Sequence, residues 1–153
     1  MEIEFDKIDS KIICILQKDG RMPYREIANK VGISETNART RVKNLLDKEI
    51  IQIVAVSDPA RLGFDFDGNI KLKIVNKKLD SILKDLKQIE EITYIALLTG
   101  SSDIDVDFIV RSKKELDDLL FNKINKIEGV IESQASLIIR YEKDTYTWKT
   151  ALE

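Results

Sequence analysis

Three segments near the start of the chain place their apolar residues at the spacing of amphipathic helices. The apolar positions are Phe5, Ile8, Ile12, Ile15 and Leu16 in the first segment, Tyr24, Ile27, Ala28 and Val31 in the second, and Ala38, Val42, Leu45 and Leu46 in the third. Gly32 stands where a left-handed residue ends a helix, and Ser34 is placed to cap the next one. The pattern predicts three short helices, with a tight turn between the last two, as in a helix-turn-helix unit.

The polar side of the third predicted helix has the composition of a surface that reads DNA. The candidate DNA-binding residues are Ser34, Glu35, Thr36, Asn37, Arg39, Thr40, Arg41 and Lys43. Asn37 and Thr40 can hydrogen-bond to base edges, whereas the basic side chains suit phosphates. Two alternatives stay open: the face is only solvated, as most polar helix faces are, or Arg41 forms an internal salt bridge. The helix-turn-helix context favours contact with DNA.

The second half of the chain repeats a strand-like pattern followed by a helical one. Helical stripes run through Leu79, Ile82, Leu83, Leu86 and Ile89 and through Leu116, Leu119, Leu120, Ile124 and Ile127, and β-rich runs cover 70–74, 92–98, 104–108 and 130–141. This order predicts a ferredoxin-like βαββαβ domain in which helices cover one sheet face and leave the other free. On the free face, we expect Lys71 and Lys73 to pair with Asp105 and Asp107 of a neighbouring antiparallel strand.

Turn-forming residues separate these two halves of the chain. Asp58-Pro59 and Gly63 interrupt the regular patterns, and Ile50–Val56 alternates weakly enough to predict only a short strand. We therefore expect an α+β chain with a helix-turn-helix domain at 1–52, a linker at 53–65 and a ferredoxin-like domain at 66–153.

Composition narrows the class of protein. The chain has 153 residues, no histidine, one cysteine and a formal net charge of −2. The usual metal sites and nucleophile–base pairs are absent from such a chain, so we expect no metal, no cofactor and no enzymatic activity. No apolar stretch is long enough to span a bilayer and no signal-peptide pattern is present, which favours a cytoplasmic protein without a membrane partner. The basic patch is small, so we expect several copies to bind DNA together.

Motifs along nearly the whole chain resemble those of the Lrp/AsnC family, the feast/famine regulatory proteins. The motifs are Asp6-Lys-Ile-Asp9 with Ile12, Ile13 and Leu16 to Arg21, then Glu26-Ile27-Ala28, Val31-Gly32-Ile33-Ser34, Arg41-Val42 to Leu45, Asp58-Pro59, Leu62-Gly63 and Gly100-Ser101-Ser102-Asp103. The resemblance implies a winged-type helix-turn-helix domain followed by a ferredoxin-like effector and oligomerisation domain. Glu49 stands where the family usually has glycine, so we expect the third helix to run on or to end without a left-handed cap.

The resemblance also implies a function and a second site. Members of the family are DNA-binding transcription regulators that dimerise, often form octamers, and in many cases bind an amino acid between dimers. Carried over by position, the effector-binding residues are Gly100, Ser101, Ser102 and Asp103, with Ser133, Gln134, Ala135 and Ser136. The expected partners are double-stranded DNA, further copies of the chain and an amino acid that acts as effector. The alternatives are an effector-independent regulator and an amino-acid sensor that acts through protein contacts.

Overall fold

The computed structural model describes residues 4–152, which lie in two compact units. The first unit comprises the chain up to Val56 together with the segment from Lys143 onward, and the second comprises Ser57–Glu142. The sequence-based division placed that C-terminal segment in the second domain. The structure differs because the hydroxyls of Ser10 and Thr150, 140 residues apart, hydrogen-bond to each other and hold the segment within the first unit. Local sequence patterns carry no signal for so distant a contact.

The first unit contains the three expected helices, which pack around one core. Helix α1 spans Lys7–Leu16, α2 spans Tyr24–Val31 and α3 spans Glu35–Asp47. The core consists of the buried side chains of Ile12, Ile13, Ile27, Ala28, Ala38, Val42 and Leu45. Apart from Ile13, these residues lie on the apolar stripes that the sequence predicted, because burying one face of each helix requires the 3.6-residue period.

Helix α3 ends with a left-handed residue. Glu49 has a φ of 56°. Its backbone N–H donates to the carbonyl of Leu46 at 2.9 Å, and the N–H of Ile50 donates to the carbonyl of Leu45 at 2.9 Å. These bonds satisfy carbonyls at the end of the helix and so offset the strain of a non-glycine residue with positive φ. The expectation that the helix runs on or lacks a left-handed cap is therefore wrong.

The expected short strand over residues 50–56 does not form in the described chain. Ile53, Val54 and Val56 in this segment are exposed, and no other strand of residues 4–152 pairs with it. A β-strand exists only as part of a ladder, so weak alternation without a neighbouring strand is insufficient.

The second unit is a four-stranded antiparallel sheet with helices on one face. Its strands are β1 Phe66–Ile74, β2 Ile92–Leu97, β3 Ile104–Val110 and β4 Val130–Leu137, in the spatial order β2-β3-β1-β4. Its helices are α4 Leu79–Leu86 and α5 Lys113–Asp117, the latter continuing in helical turns to Lys126. This confirms the ferredoxin-like arrangement, although β4 ends at Leu137 and not at residue 141. No helix in the described part of the chain is long and apolar enough to cross a membrane.

Polar side chains cover the free face of the sheet, but they pair differently from the expectation. Lys71 does lie opposite Asp105 in the β1–β3 ladder. Within residues 4–152, however, neither Lys71 nor Lys73 forms an ion pair with an aspartate of β3. Lys73 pairs with Glu132 of β4 at 3.4 Å, and Asp105 accepts a hydrogen bond from Asn69 Nδ2 at 3.1 Å. The expected lysine–aspartate pairs are therefore wrong: Lys73 pairs with a carboxylate of β4 instead, and the carboxylate opposite Lys71 accepts from Asn69.

Candidate nucleic-acid interface and effector site

A tight turn between α2 and α3 sets the position of α3. Gly32 adopts a φ of 79° at the end of α2, which a residue without Cβ does at little cost. Two residues later, Ser34 Oγ accepts a hydrogen bond from the backbone N–H of Asn37 at 3.2 Å and caps α3. Ser34 thus uses its hydroxyl within the protein, and its contribution to the candidate interface is to start the helix.

The side of α3 that faces away from the core presents polar groups to solvent. Thr36, Thr40 and Lys43 are all exposed, and Asn44 follows one turn after Thr40 on the same side. Thr40 Oγ1 donates to the Thr36 carbonyl at 3.0 Å, a common arrangement for threonine in a helix. Lys43 forms no ion pair within residues 4–152. This surface combines hydrogen-bonding groups with an unpaired positive charge, which is what contact with bases and phosphates requires.

Arg39 lies on one flank of that surface and retains an available guanidinium group. It is 3.8 Å from the carboxylate of Glu35, one turn earlier, and it stacks 5.0 Å from the centre of the Tyr24 ring. The Arg39 side chain is still 65% exposed. An exposed pair of this kind contributes little energy, so a phosphate could displace Glu35 at small cost.

Arg41 lies on the opposite flank and is engaged inside the protein. Its Nη1 donates to Asp6 Oδ2 at 2.8 Å and to Asp9 Oδ1 at 2.9 Å, both at the start of α1. Its Nε donates to Asn37 Oδ1 at 3.2 Å. The internal salt bridge that the sequence left open as an alternative is therefore present, and Arg41 joins α3 to α1.

Asp6 has a double role in this arrangement. Its carboxylate accepts hydrogen bonds from the backbone N–H groups of Ile8 and Asp9, while the Asp9 carboxylate accepts from the N–H of Asp6. The pKa of Asp6 lies below its ordinary value, mainly because its carboxylate accepts from the Asp9 backbone N–H and secondly because it accepts from the Arg41 guanidinium. Bonds to Asp9 and Asp6 raise the pKa of Arg41. The sequence left an internal salt bridge of Arg41 open, but it carried no signal that Asp6 is one of the partners.

The predicted effector turn joins β2 to β3. Gly100 has a φ of 132°, and Ser101 and Ser102 follow it at the tip. Asp103 fixes the end of the turn to β1: its Oδ2 accepts from the N–H of Ile74 at 2.9 Å, and its own N–H donates to the carbonyl of Leu72 at 2.8 Å. One carboxylate oxygen of Asp103 is thus used by the fold.

The four predicted effector residues of β4 alternate between the two faces of the sheet. Ser133 and Ala135 lie opposite the buried residues Leu72 and Ile70 of β1, whereas Gln134 and Ser136 lie on the free face. Ser133 of β4 and Asp103 lie on opposite sides of Leu72 in β1. The Ser133 hydroxyl donates to Asn125 Oδ1 at 2.6 Å. The structure therefore brings Asp103 and Ser133 to the two sides of one strand end, while Ser136 lies further along β4.

One carboxylate on the free face, that of Asp107, has a raised pKa. Burial raises the pKa of Asp107, and the nearby charge of Asp105 raises it further. Asp107 lies opposite Asn69 on β1 and Tyr94 on β2. Alternation along β3 places Asp107 on this face, but no local sequence pattern indicates the raised pKa.

Comparisons with known proteins agree with this architecture. A family profile described as winged helix-turn-helix DNA-binding matches residues 5–52, and one described as Lrp/AsnC ligand binding domain matches residues 69–148. The fold and the two matched domains define a DNA-binding transcriptional regulator and not an enzyme. The chain belongs to the Lrp/AsnC family.

Individual relatives cover nearly the whole chain. The regulator LrpA of Pyrococcus horikoshii is 36% identical over 88% of this chain and 96% of its own length. The structure of AsnC from Escherichia coli is 25% identical, covers 93% of this chain and 97% of its own, and superposes with a TM-score of 0.84. The regulator NMB0573 of Neisseria meningitidis, solved with L-Met, has a TM-score of 0.86 at 22% identity over 94% of this chain and 96% of its own, and supports the fold alone.

Proposed function

We propose that this regulator is a sequence-specific DNA-binding protein that works as a homo-oligomer in the cytoplasm, places α3 in the major groove and responds to an amino acid. The observation that carries the DNA-binding part is the two-sided character of α3. Val42 and Leu45 anchor it in the core, whereas Thr36, Thr40 and Lys43 are exposed. A helix held in this way offers hydrogen-bonding groups and positive charge to a groove that is wide enough to admit it.

Site selection from random DNA, followed by binding titrations of variants, tests the placement of α3. Thr40→Val keeps the shape of the side chain but removes its hydroxyl, so it should relax the preference at particular base pairs. Lys43→Ala should weaken binding to all sequences alike and reduce the salt slope by about one. Lys84→Ala, which alters an exposed lysine of α4, is the control and should change neither quantity. Wild-type affinity and selectivity in both α3 variants would contradict the placement.

Self-association through the free face of the sheet is the second part of the proposal. Helices cover the other face, so this face offers the broad surface that two copies need for a symmetric contact. Tyr94 lies on this face opposite Asp107 and is 58% exposed. Tyr94→Lys should lower the dimer affinity measured by sedimentation, because it places a charge in the contact. Phe121→Lys is a matched control, since Phe121 is 63% exposed on the helical layer. Equal sedimentation of Tyr94→Lys and wild type would refute the assignment.

The response to an amino acid is the third part. Gly100 allows a ligand to approach the backbone closely, and the N–H groups after it suit a carboxylate. Asp103 binds Ile74 through Oδ2 and retains Oδ1 for an ammonium group. Since the Neisseria meningitidis regulator was solved with L-Met, methionine belongs among the first ligands to test.

Titration calorimetry with the twenty amino acids tests this part, and two substitutions separate structural from binding effects. Asp103→Asn keeps an oxygen that can accept from the Ile74 N–H but removes the negative charge, so it should abolish binding at nearly unchanged thermal stability. Asp103→Ala should lose amino-acid binding and should also have a lower thermal stability, because nothing then accepts from the Ile74 N–H. Binding that survives in Asp103→Asn would move the site elsewhere. No binding of any amino acid would favour an effector-independent regulator, and amino-acid binding without DNA binding would favour a sensor that acts through protein contacts.

A further inference from the structure

The side chain of Asn37, in the first turn of α3, is held in one orientation by Arg41. Arg41 Nε donates to Asn37 Oδ1 at 3.2 Å. An arginine N–H can pair with the oxygen of an amide but not with its nitrogen, so this contact decides which end of the amide faces Arg41. Arg41 is itself fixed, because its Nη1 is 2.8 Å from Asp6 Oδ2 and 2.9 Å from Asp9 Oδ1.

The nitrogen of the Asn37 amide is consequently turned away from Arg41 and is available. Asn37 is exposed, and within residues 4–152 its Nδ2 has no hydrogen-bond partner. The residue lines an open polar pocket of about 290 Å³ together with Asn44 of the same helix and Lys48, which directly follows the helix. Residues at the start of a recognition helix are those that reach base edges in helix-turn-helix complexes. Asn37 thus offers two N–H donors, while its oxygen already accepts from a guanidinium group.

We propose that Asn37 reads an acceptor edge, N7 and O6 of a guanine in the major groove, and that Arg41 is the residue that positions it. This inference rests on the proposed DNA-binding function and specifies what one side chain recognises there. A freely rotating asparagine pairs with adenine because its oxygen accepts from N6 while its nitrogen donates to N7. Here the oxygen is turned toward Arg41, so the donor–donor edge of the amide remains, and guanine is the base that presents two acceptors.

Thr40 lies one turn later and is not held in this way. Its hydroxyl donates to the Thr36 carbonyl at 3.0 Å, but that carbonyl also belongs to the backbone ladder of the helix. The hydroxyl can therefore rotate toward a base without leaving a group unsatisfied. Any base preference due to Thr40 should not depend on Arg41, so the preference due to Thr40 serves as an internal control.

The experiment compares base preferences of the full chain on DNA sites selected by the wild type. Each guanine of a half-site is replaced in turn by 7-deazaguanine, which lacks the N7 acceptor, or by adenine. One guanine should show a loss of affinity of roughly three- to tenfold on 7-deaza substitution, the value of one hydrogen bond. In Asn37→Asp, which exchanges the donors for acceptors at equal size, the guanine preference at that position should disappear.

Arg41→Lys tests the positioning role. Lysine keeps a positive charge for Asp6 and Asp9 but lacks the fork that holds Asn37. Arg41→Lys should therefore discriminate less between guanine and adenine, but only at the base pair that Asn37 contacts. The base preferences that are lost in Thr40→Val should persist in Arg41→Lys. A purely structural role would instead weaken binding to all sequences together and lower the melting temperature in proportion.

The outcomes separate this inference from the proposed function. Wild-type protein that binds all DNA sequences alike would overturn both. Sequence-specific binding in which Asn37→Asp keeps the guanine preference would overturn the assignment of Asn37 alone. Sequence-specific binding in which Asn37→Asp loses the preference and Arg41→Lys retains it would overturn the positioning role of Arg41.

Discussion

Gly68 lies at the closest approach of β1 and β4, and substituting it tests the packing of the sheet. Its φ is not in the left-handed region, so alanine is compatible with the backbone itself. A Cβ at this position would, however, stand 2.1 Å from the carbonyl oxygen of Ser136 and 3.1 Å from both Leu137 Cα and Phe108 Cε1. The nearest obstacle is backbone and cannot rotate away, so Gly68→Ala must displace β4.

The size of the effect follows from that displacement. The Ser136 carbonyl would have to retreat by roughly 1.3 Å to reach ordinary contact. The neighbouring bond from the Ile138 N–H to the Asp67 carbonyl is 2.9 Å long and would not survive a shift of that size. Loss of one or two ladder bonds, together with disturbed packing around Phe108, should cost about 2–3 kcal/mol. Such a cost corresponds to a roughly 30- to 150-fold increase in local opening.

Hydrogen exchange resolved by segment is the appropriate assay, because the chain contains two units that need not unfold together. Amides of β1 and β4 should exchange faster in Gly68→Ala, whereas those of α2 and α3 should be unaffected. Gly20→Ala is a control, since its added Cβ would stand 3.3 Å from a side-chain methyl of Ile53 and 3.7 Å from the Leu16 carbonyl oxygen, the latter an ordinary contact. Wild-type protection of β4 in Gly68→Ala would refute the reasoning that the two strands are held at this distance.

Three further predictions concern conformation and ionisation. Glu49→Gly should raise the thermal stability of the first unit by about 1 kcal/mol, because it relieves the positive φ; a lower melting temperature would contradict this. Folding lowers the pKa of Asp6, so the stabilisation by its carboxylate is present above the ordinary pKa of 3.8 and is lost as pH falls through the lower pKa of the folded chain. When the urea midpoint is measured against pH, the wild type should show this loss of stability and Asp6→Asn should not. The pKa of Asp107 is raised in the folded chain, so the free energy of unfolding should increase as pH falls toward the ordinary value of 3.8. Asp107→Asn should be more stable than wild type at pH 7 and should lack this increase. Equal pH profiles of stability in the variant and the wild type would contradict this prediction.

Periodicity along the chain was sufficient for the helices and strands of the two units and for their order, but it also predicted a strand over residues 50–56 that does not form. The apolar stripe Ala38, Val42 and Leu45 indicated α3, and Gly32 and Ser34 marked the turn before it. The repeated order of strand and helix predicted a ferredoxin-like sheet, in which β1 and β3 are antiparallel neighbours, and the β1–β3 register, with Lys71 opposite Asp105, confirms it. These features are readable because helix and strand periods depend on residues only a few positions apart.

The partners of individual groups were decided only by the tertiary structure. Arg41 meets Asp6 and Asp9 across separations of 35 and 32 residues, and Ser10 meets Thr150 across 140. Which donor lies nearest to which acceptor depends on how helices pack, and several arrangements satisfy the same apolar pattern. For this reason the sequence alone placed Asn37 on a polar face, but the bond from Arg41 that orients its amide became visible only when α1 and α3 were packed together.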